Sequence, residues 1–186
     1  MKRFWQFCGV IVLVLTAVSC GGNSTLDNTV AVVYLTIEVE DNTPDIDICL
    51  QFGDVSVDSM TITSTSKDPN ATLSANQDVR LERWVITPYR TDGGSTSSPE
   101  WSYDQTVFVP AGGSSDLENY RVYPLEYLSD IPLSYLLPEN GGFDPETGNT
   151  NIRESLELVI FGETVSGKSV ATQPIPIAFN FFCLGQ

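Results

Sequence analysis

The chain has 186 residues and not one of them is histidine. That absence removes the commonest general base and the commonest zinc ligand. It excludes Ser-His-Asp and Cys-His catalysis, and haem attachment of the Cys-x-x-Cys-His kind. Lysine is scarce: beyond Lys2 there are only Lys67 and Lys168. No glycine loop closed by a lysine is present to cradle a phosphate, and no Gly-x-Gly-x-x-Gly run occurs. Positive charge is short overall, with 9 Lys and Arg against 24 Asp and Glu and a formal net charge of −15. Such a chain repels nucleic acid and anionic lipid head groups, so no nucleic-acid partner is expected. The uninterrupted apolar stretch Val10–Leu15 falls well short of the roughly 20 apolar residues that a membrane-spanning helix requires.

What is present at the start is a basic Met1-Lys2-Arg3, that short apolar core, and then Thr16-Ala17-Val18-Ser19-Cys20-Gly21-Gly22. A basic start, a greasy core and small residues before a cut site form a secretory signal. The reading is therefore a signal segment over 1–19, a small polar tether over 20–28, and one folded domain over 29–186. Without Lys2 and Arg3 the exported part keeps 7 basic residues against the same 24 acids, a net charge of −17.

The body reads as β-structure. Ala31, Val33, Leu35, Ile37 and Val39 alternate with residues that turn polar at Glu38 and Glu40, the pattern of a half-buried strand. Asp54 to Ser66 is a second strand. Val55 and Val57 share one parity and Met60 and Ile62 the other, which predicts a bulge near Asp58-Ser59. Val79 to Arg90 ends on the turn Thr91-Asp92-Gly93-Gly94, and Trp101 to Val109 ends on Pro110-Ala111-Gly112-Gly113. Proline punctuates Arg121 to Leu137, which suits a short or edge strand, or a helical turn. Asn140 to Asn151 reads as a loop. Leu156, Leu158 and Ile160 mark a further strand, and Ile175, Ile177, Phe179, Phe181 and Cys183 share one face of the last. Seven to nine short strands with Gly, Pro and Asp turns predict an all-β protein, an antiparallel β-sandwich, with a barrel as the second choice.

Three groups of residues are candidate sites. The first is a pair of acidic loops. One carries Asp41, Asp45 and Asp47, and the other Asp144, Glu146, Asn149 and Asn151. Calcium takes six to eight oxygens, and acidic side chains spaced by two on a loop supply several. Neither loop has the twelve-residue helix-flanked spacing, and solvated turns use the same residues for conformational reasons. The second is aromatic: Trp101 and Tyr103 share a strand face beside a polar loop, as a glycan-binding surface would, although core packing uses the same residues. The third is a bare pair of carboxylates acting as a hydrolase, for which no particular pair stands out.

Through Leu15 to Cys20 the leader resembles the lipobox of bacterial lipoproteins. That resemblance implies cleavage before Cys20, acylation of its thiol and a membrane partner reached through the lipid. It places the protein in the bacterial cell envelope, at the periplasmic or surface face of the outer membrane. The body resembles exported lipoproteins with an immunoglobulin-like sandwich. Val85-Ile86-Thr87-Pro88-Tyr89-Arg90-Thr91-Asp92-Gly93-Gly94, Leu158 to Gly162 and Ile175 to Phe181 carry that likeness, which implies a fold and a compartment but no activity. With Cys8 removed and Cys20 acylated, Cys49 and Cys183 remain, and an exported pair invites a disulfide. Parity speaks against it: Cys183 shares the apolar face of its strand, while Cys49 shares parity with Asp45, Asp47 and Gln51. The functional expectation is a lipid-anchored structural or interaction module without catalysis or cofactor. Its partner would be an envelope protein or a glycan. Ligand binding of calcium or a glycan is the alternative, and a carboxylate-only hydrolase is the second alternative.

Overall fold

The computed structural model describes residues 31–40 and 44–184. The signal segment, Cys20, the tether and Asp41 lie outside the described residues. Nine strands follow one another: β1 (Val33–Val39), β2 (Asp45–Asp47), β3 (Val55–Ser66), β4 (Val79–Arg90), β5 (Trp101–Val109), β6 (Ser114–Tyr123), β7 (Asn151–Thr164), β8 (Ser169–Ala171) and β9 (Ile175–Phe182). Short 3-10 turns at Leu125–Ser129, Leu133–Leu136 and Pro138–Asn140 fill the proline-punctuated stretch.

The strands form a β-sandwich. One sheet has the order β1-β3-β6, and the other β2-β9-β7-β4-β5 with β8 added beside β7. All these pairs are antiparallel except β2 with β9. The layers meet along both flanks. The turn after β5 carries the chain across to β6, with Gly112 at φ 72° supplying the left-handed step. On the opposite flank Leu35 bridges Thr172, and the Gln173 N–H donates to the Leu35 carbonyl at 3.1 Å.

Alternation decides what is buried. Val33, Leu35 and Ile37 of β1 face Leu81, Trp84, Leu156, Ile160, Phe179 and Phe181 as members of one continuous core. In β3 the inward set passes from Val55 and Val57 to Met60 and Ile62, so the parity change falls where the sequence placed it. Its partner changes parity at the same level: Leu117 is half-buried, Tyr120 and Val122 are buried, and Asn119 takes φ 49° between them. An asparagine tolerates that conformation better than most residues. The ladder's own register shift lies lower, between Val55 and Ser56.

A second irregularity sits at Glu82. The β4 register slips between Leu81 and Arg83 against both neighbouring strands. There the β4 backbone approaches β7 so closely that a Cβ on Gly162 would lie 2.1 Å from the Arg80 carbonyl oxygen. Only glycine fits.

Cys49 and Cys183 form a disulfide with Cα atoms 5.2 Å apart, inside the normal range. The parity objection dissolves because β2 stops at Asp47. Cys49 lies in the following turn, where strand alternation no longer fixes its direction.

Candidate functional site

The most heavily bonded polar cluster grows out of the end of β4. Arg90 is the last residue of that strand, and Thr91-Asp92-Gly93-Gly94 turns the chain directly after it. Its side chain is about 1% exposed. The guanidinium spends Nε on Asp92 at 2.8 Å and Nη2 on Asp144 at 2.7 Å, and Nη1 donates to the Thr96 carbonyl at 3.2 Å. Gly94 leaves room for it, since a Cβ there would meet the guanidinium at 2.4 Å. Burial opposes ionisation of all three partners. The hydrogen bonds and opposite charges outweigh it, holding Asp92 and Asp144 below the usual carboxylate range and raising Arg90. Removing two carboxylates from water is costly. The bidentate geometry and the further donors from Gly94, Arg153, Glu146 and Thr147 are what compensate it.

Glu146 extends the cluster to the polar loop before β5. Its carboxylate accepts from the Ser95 and Thr96 backbone N–H groups and from both hydroxyls. Those bonds pull its pKa down to about 2. The loop's deeper end is tied by Glu154, fully buried on β7, whose Oε1 accepts the Ser98 N–H at 2.8 Å. Ser98 in turn accepts from the Tyr123 hydroxyl, which belongs to the other sheet. Glu154 Oε2 is buried without a protein donor, and burial raises its pKa against the bonds from Ser98. The two loops at this end are thus fixed to β4, β7 and β6.

Beside the cluster lies a surface hollow of about 280 Å³, lined by Asp45, Thr91, Arg153, Ala178, Phe179 and Asn180. The Asn151 amide donates to Asn180 at 2.7 Å, and the Asn180 amide donates to Asp45 at 2.8 Å, a polar chain across β7, β9 and β2.

These placements give each sequence candidate a role. Asp144 is buried on Arg90 and Glu146 is occupied by Ser95 and Thr96. The Asn149 carbonyl accepts the Asp144 N–H, and Asn151 turns away to Asn180. Asp45 belongs to the hollow. Asp47 Oδ1 accepts the Cys49 N–H at 3.0 Å, while Oδ2 is buried without a donor. Among the described residues, Asp47, Cys49 and Cys183 are the only set of three or more acidic or cysteine ligand atoms within 4.8 Å of one another, and both of those sulfurs are in the disulfide. Glu82 and Asp104 line a second hollow on the outer face of β4 and β5, with Glu82 held by Arg80 at 2.8 Å.

The aromatic candidates share a face, as their spacing requires, but that face points inward. Trp101 is 8% exposed and its ring stacks on Tyr103 at 4.9 Å. Tyr103 stacks on Trp84 at 5.8 Å, and Trp84 on Tyr120 at 4.1 Å. Arg121 covers the outer side at 5.3 and 5.1 Å from the Trp101 and Tyr103 rings and pairs with Asp54 at 3.0 Å. The row is a stacked seam between sheets, not an open platform.

Sequence reasoning singled out neither Arg153 nor Asn180, and treated Arg90 only as part of a turn. For Arg90 a signal existed: a lone cation set directly against Asp92 and two glycines. For Arg153 none did, because its surroundings come from β2, β9 and the turn after β4, all remote in sequence. Comparison with known proteins finds no matching family, no matching curated protein and no matching solved structure.

Proposed function

We propose that this chain is an exported bacterial lipoprotein, acylated on Cys20, whose immunoglobulin-like sandwich serves as a non-catalytic interaction module of the cell envelope. The observation that carries this reading is the Cys49–Cys183 disulfide. Disulfides persist in oxidising compartments and are rare where thiols are kept reduced, so the bond agrees with the export signal read from Met1 to Ser19. The net charge of −15 supports anchoring by a lipid chain in place of electrostatic adhesion. A non-catalytic role is supported by the way these carboxylates are used: buried Asp92 and Asp144, and exposed Glu146, hold loops in place. The calcium alternative would require Asp144 and Glu146 to surrender donors they already serve.

The test is made on the membrane fraction. Intact mass spectrometry should show a chain beginning at Cys20 with a diacyl- or triacylglyceryl mass. Cys20→Ser should release the protein or leave the precursor uncut. A Cys20→Ser chain that is processed normally and stays membrane-bound would overturn the anchor.

A further inference from the structure

We infer that the hollow between β2, β9 and the turn after β4 is a binding site for a compact, hydroxyl-rich monocarboxylate, the chemistry of an acidic sugar such as a uronic acid. The assignment deepens the interaction-module reading by giving that module a ligand class, and rests on that reading only for its setting in the envelope.

The argument begins with Arg153. The chain holds 24 acids, and among the described arginines Arg80, Arg90 and Arg121 each pair with a carboxylate, while Arg83 reaches only the Ser102 hydroxyl, at 3.4 Å. Among the described residues the Arg153 guanidinium engages no acceptor, yet Arg153 lines a hollow of about 280 Å³. Its backbone is held on both sides. The N–H donates to Asp92 Oδ2 at 2.8 Å, and the carbonyl accepts the Thr91 N–H at 3.0 Å. Asp92 is itself fixed by the buried Arg90. The backbone that carries Arg153 is therefore fixed at the rim of the hollow, and its guanidinium keeps five donors to offer a ligand.

The rest of the lining selects the ligand. A planar guanidinium takes a carboxylate with two parallel bonds. Asp45 lines the same hollow; its Oδ1 accepts from Asn180, and among the described residues nothing donates to its Oδ2. A second negative group beside the ligand works against a dianion such as phosphate and favours a monoanion that also donates hydrogen bonds. Hydroxyls are such donors, and the Thr91 hydroxyl and the Asn151–Asn180 amide chain add further polar contacts. The size suits a single small ring, since about 280 Å³ lies just below the range of cavities that hold drug-sized ligands.

The probe is galacturonic acid, titrated into the isotope-labelled exported chain and followed by amide shifts. Neutral galactose and acetate at matched concentration separate the two halves of the chemistry. Galacturonate should move the amides of Thr91, Arg153 and Ala178 to Asn180 in a saturable way, and galactose or acetate alone should not. Arg153→Gln should weaken binding by about tenfold or more, the loss expected for a charge-assisted pair. Asp45→Asn should weaken it less. Lys168→Gln removes another cation, one outside this hollow, and should leave binding unchanged. Arg153 is exposed, so its variant should melt like the parent. No shift with galacturonate, equal shifts with acetate or galactose, or undiminished binding by Arg153→Gln would each overturn the assignment. Fractionation of Cys20→Ser reads the anchor separately, so either idea can fail alone.

Discussion

At the scale of the residue, this protein concentrates its risk in a few positions that tolerate no substitute. Gly162 is one. Gly162→Ala should cost about 3 kcal/mol or more in urea unfolding, because backbone and not a pliable side chain occupies the space its Cβ would need. Gly53→Ala is the control, with nothing within 4 Å of the added Cβ, and should be neutral or slightly stabilising. Arg90 is another. Arg90→Met should cost about 3 to 5 kcal/mol, since it strands two buried carboxylates. Arg90→Lys should recover only part of that, because an ammonium cannot span Asp92 and Asp144 as the planar fork does. The carboxylates also set opposite pH dependences. Asp92 and Asp144 are depressed in the folded state, so their stabilisation is complete above the unfolded value of about 3.9 and disappears as pH falls through their folded values. Glu154 is raised, so its folded state holds the proton more tightly than the unfolded chain does. Its contribution is greatest below about pH 4.3 and declines as pH rises through the folded value. Melting Glu154→Gln from acid to neutral pH should show that decline flattened. An unchanged slope would mean that Glu154 ionises in the fold without penalty.

At the scale of the element, legibility followed the side chains that meet the core. Leu35 and Ile37 in β1, and Ile177, Phe179 and Phe181 in β9, are apolar on every inward position, so period two declared them. The end of β4 and the start of β5 were marked by turn chemistry. β6 was missed from Ser114 to Tyr120. Its inward positions there include Ser115 and Leu117, neither fully buried, and its parity flips at Asn119, so no stretch of it keeps one rhythm for long. β7 was read from Leu156 although it begins at Asn151. Glu154 and Ser155 are buried polar residues, and nothing local distinguishes a glutamate that accepts the Ser98 N–H from one facing water. The role of Asp144 was hidden for a related reason: its partner, Arg90, lies 54 residues away. The disulfide was suggested by compartment and opposed by parity, and the early end of β2 decided the matter. Closing 134 residues, it contributes up to about 5 kcal/mol in the chain-entropy model. Because it joins the turn after β2 to the end of β9, its reduction should first raise amide exchange in Asp45–Asp47 and Asn180–Phe182. Uniform acceleration across both sheets would show instead that the bond supports the sandwich as a whole.

At the scale of the whole molecule, acidic charge is spread over many turns; Asp92 and Asp144 are held by Arg90, Glu146 by Ser95 and Thr96, and one oxygen of Glu154 by Ser98. Millimolar calcium should therefore shift the melting temperature no more than sodium matched in ionic strength, with EDTA as the baseline. A calcium-specific rise of several degrees would point to a tight site, by mass action, and mutation of Asp144 and Glu146 would locate it. The two sheets also give the molecule a long axis with distinct ends. The parallel bridge of Leu35 to Thr172 sets the start of β1 beside the approach to β9, and β9 then runs away from it to Cys183. The described chain thus enters at one end, while the disulfide, the Arg90 network and the hollow occupy the other. Tension entering at Val33 and leaving through a ligand at the far end runs along β1. The ladder from Val33–Ser66 to Val39–Met60 lies crosswise to that pull, because antiparallel bonds are perpendicular to their strands. Such rungs are sheared together and not unzipped one by one, so under load the sandwich should yield abruptly and at high force, behaving as a stiff mechanical link.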